Sequence, residues 1–202
     1  MATDKSVEYS SLFADWAQKH DGYQEALEIV RQNSSGTIWL MGGFLYRNLV
    51  SELYGTPAHQ TDFDFLVEKR NDTLTLPAGW VRMQNRWANP KLVHDDKSID
   101  LVPLDTVYSI NYRGLDAHLE HYLSGTPLNI HSLVYNIAEK NIIGEAGLKS
   151  LREKKIRVNH LELAQRYAEM KRQPLNRLIE EKAQSLGFTP VHPLPAISSD
   201  EK

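Results

Sequence analysis

The chain contains no cysteine. Disulfides, thiolate-held zinc and a cysteine nucleophile are excluded, and with them a disulfide-linked partner. It also lacks any uninterrupted apolar run of membrane-spanning length, and its mean hydropathy is −0.46, so no membrane partner is expected. Met1–Tyr9 is polar and carries no apolar signal-peptide core. A basic excess is missing as well. The 23 Lys and Arg residues stand against 26 Asp and Glu, a net charge of −3, which argues against a globally basic nucleic-acid binder. The shortfall is uneven, because Lys149–Lys182 is rich in Lys and Arg and leaves room for a local basic surface. At 202 residues, 41% hydrophobic and 24% charged, the chain can bury a sizeable core, and a cytoplasmic enzyme or binding protein is expected.

What is present centres on Asp62-Phe63-Asp64-Phe65, downstream of Gly42-Gly43 and upstream of Ser98-Ile99-Asp100-Leu101. Side chains alternate across a strand, so Asp62 and Asp64 share one face while Phe63 and Phe65 share the other. Two neighbouring carboxylates repel unless a cation sits between them. Hard divalent ions take oxygen ligands, and Mg²⁺ is usually held by one or two carboxylates plus substrate phosphates. Asp100 lies in a second apolar strand, where a charge between Ile99 and Leu101 needs a reason; it is the best candidate for a third carboxylate. Asp105, expected at a strand end, and Asp95-Asp96, expected at a hairpin tip, compete for that role.

The pattern around these residues is mixed. Leu12, Phe13 and Trp16, then Ala26, Leu27 and Val30, fall at helical spacing, which predicts two helices over 9–30 broken at Asp21-Gly22. Thr37–Met41 reads as a buried strand and Phe44–Tyr54 as a helix. Strand, glycine turn, helix is an arrangement that offers backbone N–H groups to a phosphate. Short strands are expected at Asp62–Val67, Trp80–Met83, Leu92–Val93 and Ile99–Leu104. After Gly114, helices are expected over 115–123, 130–138 and 161–186, with extended pieces at Asn141–Ile143 and Lys154–Val158. The expected class is α/β (α+β): a small mixed sheet flanked by helices in residues 1–113, a helical neck-like part in 114–188, and an extended or disordered tail in 189–202. His59, His94, His118, His121 and His131 make no convincing metal cluster; His118 and His121 alone are spaced to meet on a helix face.

Met41-Gly42-Gly43-Phe44-Leu45-Tyr46-Arg47, then Asp62-Phe63-Asp64-Phe65, then Ile99-Asp100-Leu101, resembles the DNA polymerase β-like nucleotidyltransferase superfamily. The closer likeness is to the head domain of bacterial tRNA CCA-adding enzymes and poly(A) polymerases. It continues through Leu128–Asn136 and Ile142–Val158, covering residues 36–160. The resemblance implies that Gly42, Gly43 and Arg47 bind an incoming NTP such as ATP. It implies that Asp62, Asp64 and Asp100 are the catalytic residues and hold Mg²⁺, with Mn²⁺ as a substitute. Two positions depart from the family pattern: Tyr46-Arg47 stand where it carries Arg-Asp, and Gly125-Thr126 where it carries paired arginines. The resemblance implies NMP transfer from an NTP to a hydroxyl, with release of pyrophosphate. The acceptor stays open among an RNA 3′ end such as tRNA, a small molecule and a protein. The alternative is a non-catalytic nucleotide- or RNA-binding regulator, antitoxin-like, on the same fold.

Overall fold

The computed structural model describes residues 3–58 and 61–193. Its centre is a sheet of seven strands: β1 (Ser34–Met41), β2 (Asp62–Arg70), β3 (Val81–Gln84), β4 (Pro90–His94), β5 (Lys97–Pro103), β6 (Val134–Asn136) and β7 (Asn141–Ile143). Their order is β3-β4-β5-β2-β1-β6-β7. Only β2 and β5 run parallel; the other neighbours are antiparallel. The sheet is thus mixed, as the alternating segments imply.

The two faces of β2 have different fates. Phe63, Phe65 and Val67 point into the main core, which they share with α1 (Thr3–Ala17), α2 (Asp21–Asn33) and α3 (Gly42–Tyr54). Phe13, Phe44 and Phe63 are almost wholly buried there. The opposite face carries Asp62, Asp64 and then Leu66. Leu66 joins Trp39, Leu104, Val107, Ile110 and Val134 in a smaller cluster. That cluster is covered by a single 3-10 turn (Leu104–Thr106), α4 (Tyr108–Tyr112) and α5 (Leu119–Ser124). The apolar half of this face is closed over and the acidic half is left beside a cleft.

Several elements differ from the sequence expectation, each for a local reason. The first helical break falls at Gln18–His20, because the His20 side chain caps α2 by accepting the Tyr23 N–H at 3.1 Å. Asp21 then sits favourably in the first turn of α2. No helix spans 130–138. A 3-10 turn (Asn129–His131) is followed by β6, which pairs with the free edge of β1 through Trp39–Asn136 and Leu40–Tyr135. Asn136 then turns the chain into β7 by accepting the N–H groups of Ala138 and Glu139. Residues beyond 113 therefore complete the same sheet. The helix expected over 115–123 is confined to Leu119–Ser124. A helix α6 (Glu145–Glu153) leads to a two-residue strand β8 (Lys155–Ile156), which pairs with β9 (Thr189–Pro190) at the start of the tail. The long helix over 161–186 is two, α7 (Leu161–Met170) and α8 (Leu175–Leu186). Arg172 takes a left-handed φ of 54° between them, and Pro174 cannot continue a helix interior.

Candidate active site

The three candidate carboxylates lie side by side because of strand register. Asp64 pairs with Asp100 across the parallel β2/β5 ladder, and Asp62 pairs with Ser98 two residues earlier. Ser98 donates its hydroxyl to Asp62, and Asn85 donates its side-chain N–H to Asp100 Oδ1 at 3.2 Å. Asp62 and Asp100 are therefore held by neutral donors, while Asp64 lies deepest. Burial above all, then the charges of Asp100 and Asp62, push the Asp64 carboxyl from 3.8 up to about 7 against the opposing pull of Lys91. Such a shift is what crowding acids in a poorly hydrated place produces.

On the far side of Asp64, β1 ends at Met41, its register partner. Gly42 follows with φ +75° and opens α3. A Cβ at residue 42 would overlap the Asp64 carboxylate, so the close approach of turn to acid requires glycine. Gly43 continues the first turn of α3, whose Met41 cap supplies no side-chain acceptor. The free N–H groups of this turn are thus open to a ligand.

The donor set is all carboxylate oxygen, the hard kind that suits Mg²⁺ or Mn²⁺. Asp64 is destabilised by its neighbours in a way that a cation would relieve, so the residues fit such an ion. Among the described residues, however, no three acidic or histidine side chains close around one point as a metal cage. The Lys91 ammonium stands among them, 3.8 Å from Asp62 Oδ1 and 4.0 Å from Asp100 Oδ2.

A second group of charges gathers around Tyr46 from α3 and α8. The Lys182 Nζ donates to the Tyr46 hydroxyl at 2.9 Å. Arg47 Cζ lies 5.9 Å from the Tyr46 ring, and its Nε is buried without a hydrogen-bond partner. Among the described residues neither Arg47 nor Lys182 forms an ion pair. Burial, aided by the Arg47 charge, pulls Lys182 down to about 8. Burial and the Lys182 and Arg47 charges drop His131 to about 3, so its imidazole is neutral at pH 7. Burial raises the Tyr46 hydroxyl to about 12, with Asp64 adding to the rise and Arg47 opposing it. Tyr122 is raised by burial and, to a lesser degree, by Asp64 and Tyr46.

Beside the acids opens a cavity of about 530 Å³. Met41 and Val102, flanking the acids on the same sheet face, line its floor, and Tyr122, His131 and Tyr167 line it further. At its lip Trp87 stacks on Tyr108 with centroids 4.8 Å apart, and Tyr108 on Tyr112 at 5.7 Å. The Arg166 guanidinium covers Tyr112 at 4.1 Å. All three rings are more than a third exposed, an unusual outlay of aromatic surface.

The structure thus brings Gly42, Gly43, Asp62, Asp64 and Asp100 together at one end of the cleft, with Arg47 one helical turn beyond Gly43. Asp95 and Asp96 are exposed at the β4–β5 turn and Asp105 is exposed in the 3-10 turn. His94 packs on Trp80, and His118 meets His121 at 5.7 Å. His59 lies outside the described residues. Sequence reasoning missed Lys91, Lys182 and the aromatic stack. Signals were available: Lys182 falls on the α8 stripe of Ile179, Ala183 and Leu186, and Tyr108 and Tyr112 are four apart.

No protein-family model matches the chain, and no curated protein matches it. Solved structures do. A Bacillus stearothermophilus CCA-adding enzyme in complex with CTP superposes with TM-score 0.56 over 85% of this chain and 41% of its own, at 18% identity. Another CCA-adding enzyme with CTP gives 0.53 over 85% and 43%, at 16% identity. A tRNA-processing enzyme with CTP gives 0.51 over 77% and 40%, at 18% identity. The chain therefore shares the nucleotidyltransferase-like fold of these proteins and spans about two fifths of their length.

Proposed function

We propose that this chain is a Mg²⁺-dependent nucleotidyltransferase that moves an NMP group from an NTP to a hydroxyl. One observation carries the reading: three carboxylates crowd together on β2 and β5 against the glycine turn that opens α3, a helix that also carries Arg47. The chemistry of the acids suits a divalent cation, and that of Arg47 and Lys182 suits an anion. A metal–NTP complex presents both charges at once.

Asp62, Asp64 and Asp100 would hold the ion. When bound, it supplies charge neutralisation on the triphosphate and the leaving group, and activation of the acceptor hydroxyl. The Gly42 and Gly43 N–H groups, with Arg47 and Lys182, bind the phosphate oxygens. Tyr122, His131 and Tyr167 form walls for the nucleoside. The acceptor oxygen attacks the α-phosphorus, its proton passes to Asp100, and the α–β bridging bond breaks to release pyrophosphate. The acceptor is an RNA 3′ end, a small alcohol or a protein hydroxyl. The stacked Trp87, Tyr108 and Tyr112 at the cavity lip support an acceptor with planar rings, because aromatic stacking holds unpaired bases without regard to sequence.

The Lys91 ammonium between Asp62 and Asp100 favours a second reading, a regulator that binds nucleotide or RNA without turnover. The deciding experiment is pyrophosphate release from each of the four NTPs with Mg²⁺, with and without total tRNA, comparing wild type with Asp62→Asn. Release that disappears in the variant supports the enzyme, and dependence on tRNA names its acceptor class. Tight Mg²⁺-dependent NTP binding with no release supports the regulator. Equal release from both proteins refutes the site.

A further inference from the structure

Lys91 belongs to none of the motifs that point to nucleotidyl transfer, yet it is the one ammonium among the described residues that touches the acidic group. Its place is dictated by the sheet. In β4 it pairs with Asp100 across the antiparallel ladder to β5, and Asp100 in turn pairs with Asp64. Lys91, Asp100 and Asp64 thus form a row across three strands. Leu92 beside it points the other way into the main core, which fixes Lys91 on the acidic face. The side chain is only one-third exposed, and its Nζ sits between two carboxylates that belong to different strands. Both of those carboxylates are independently tethered, Asp62 by Ser98 and Asp100 by Asn85. Neither needs Lys91 for its orientation.

We propose that Lys91 is a resident counter-ion that a divalent metal must displace, so that this residue sets the metal affinity of the site. The inference rests on the nucleotidyltransferase reading of the three acids. Two positive centres cannot share the gap between Asp62 and Asp100, because they repel at close range and compete for the same oxygens. Lys91 therefore swings outward as the ion enters. Its two ion pairs are long and reachable by water, so each is weak and partly screened. They hold the apo site together without closing it.

The test is Mn²⁺ binding followed by the electron paramagnetic resonance signal of free Mn²⁺, which requires no turnover. Wild type, Lys91→Met, Lys91→Arg and Asp64→Asn are compared. Lys91→Met keeps the aliphatic stem and removes the charge; its expected effect is roughly five- to tenfold tighter Mn²⁺ binding, the size of two weak ion pairs relieved. Lys91→Arg keeps the charge and is expected to bind no more tightly than wild type. Thermal unfolding adds a readout that a packing role would not produce: Lys91→Met lowers Tm without metal, and saturating Mn²⁺ removes the deficit. Equal or weaker Mn²⁺ binding by Lys91→Met, with binding still abolished in Asp64→Asn, overturns the proposal and leaves the metal site standing. Absence of Mn²⁺ binding in wild type and Lys91→Met alike overturns both.

Discussion

Replacing Asp64 by Asn should make the metal-free protein more stable while removing its capacity for a divalent ion. The direction follows from the sign of the perturbation. Asp64 is an acid whose folded-state value, about 7, exceeds its ordinary 3.8. The folded protein therefore binds a proton that the unfolded chain has lost between these values, and stability falls as pH rises from about 4 to about 7. Above that window the ionised carboxylate costs the folded state on the order of 4 kcal/mol at most. Asn is close to isosteric and uncharged, and its N–H group can donate to Asp100, the register partner. The amide must still be desolvated, so roughly half of the cost is recovered, about 2 kcal/mol at pH 8. In a chain of this length that corresponds to a rise in Tm of about 4–8 °C. At pH 4, where folded Asp64 is protonated and the unfolded carboxyl is only partly ionised, the gain shrinks to on the order of a few tenths of a kcal/mol. Urea unfolding of both proteins at pH 4 and pH 8, without metal and then with Mg²⁺, measures all of this. Added Mg²⁺ should stabilise wild type and leave the variant unmoved. A variant less stable than wild type at pH 8, or a gap that ignores pH, would refute the crowded-carboxylate reasoning.

Three further outcomes follow from the same geometry. Gly42→Ala forces a side chain onto a left-handed turn and into Asp64, so it should lose about 1–3 kcal/mol in thermal unfolding and most Mg²⁺-dependent NTP binding. Mn²⁺ affinity should rise with pH up to about 7 and then level, because Asp64 must shed its proton to act as a ligand; calorimetry in buffers of different ionisation enthalpy should register the released proton at pH 6. Lys182 is a base pulled down to about 8, so it costs stability while charged and that cost fades as pH rises through 8 towards its ordinary value. Lys182→Met should therefore be more stable than wild type at pH 7 yet bind NTP about tenfold more weakly, by equilibrium dialysis, if the ammonium meets a phosphate.

Which parts were legible in the sequence follows from the range of the signal. The two-residue alternation in Asp62–Val67 carries its own orientation, so the acid face and the Phe63/Phe65 core face could be read directly. Gly42 was legible as a turn; its contact with Asp64 depends on the β1/β2 register, which no local pattern encodes. The segment 130–138 was misread as a helix because apolar residues there recur at spacings that suit a buried helix as well as a strand buried on both faces. The open edge of β1 decided the matter, through a pairing nearly 100 residues distant in sequence. Lys91 carries no local signal, because only the β4–β5 ladder sets it opposite Asp100. Lys182 stood on the apolar stripe of α8, a local anomaly that was visible but had no partner until the fold brought Tyr46 to it.

The cost of this arrangement also bears on whether the cleft serves chemistry or only shape. A fold with no task for Asp64 would be more stable with an uncharged residue there, and the same holds for Lys182 and for the unpartnered Arg47 Nε. Buried charges are tolerated when paired. Asp64 and Lys182 are both near Tyr46, yet Lys182 donates to the Tyr46 hydroxyl rather than to the acid. Tyr46 thus takes up the Lys182 ammonium, which forms no ion pair among the described residues. Holding a buried ammonium on the Tyr46 hydroxyl and not on a nearby acid is a poor way to stabilise a domain and a good way to receive a ligand that carries both signs. If the separation is functional, Tyr46→Phe should impair NTP binding more than stability. The lost hydroxyl frees Lys182 to turn towards Asp64, and the two charges then neutralise each other. Paired NTP titrations and unfolding curves on that variant would decide it: unchanged NTP affinity would mean that Tyr46 is only a wall, and that the charges on either side of it are not held apart for the ligand.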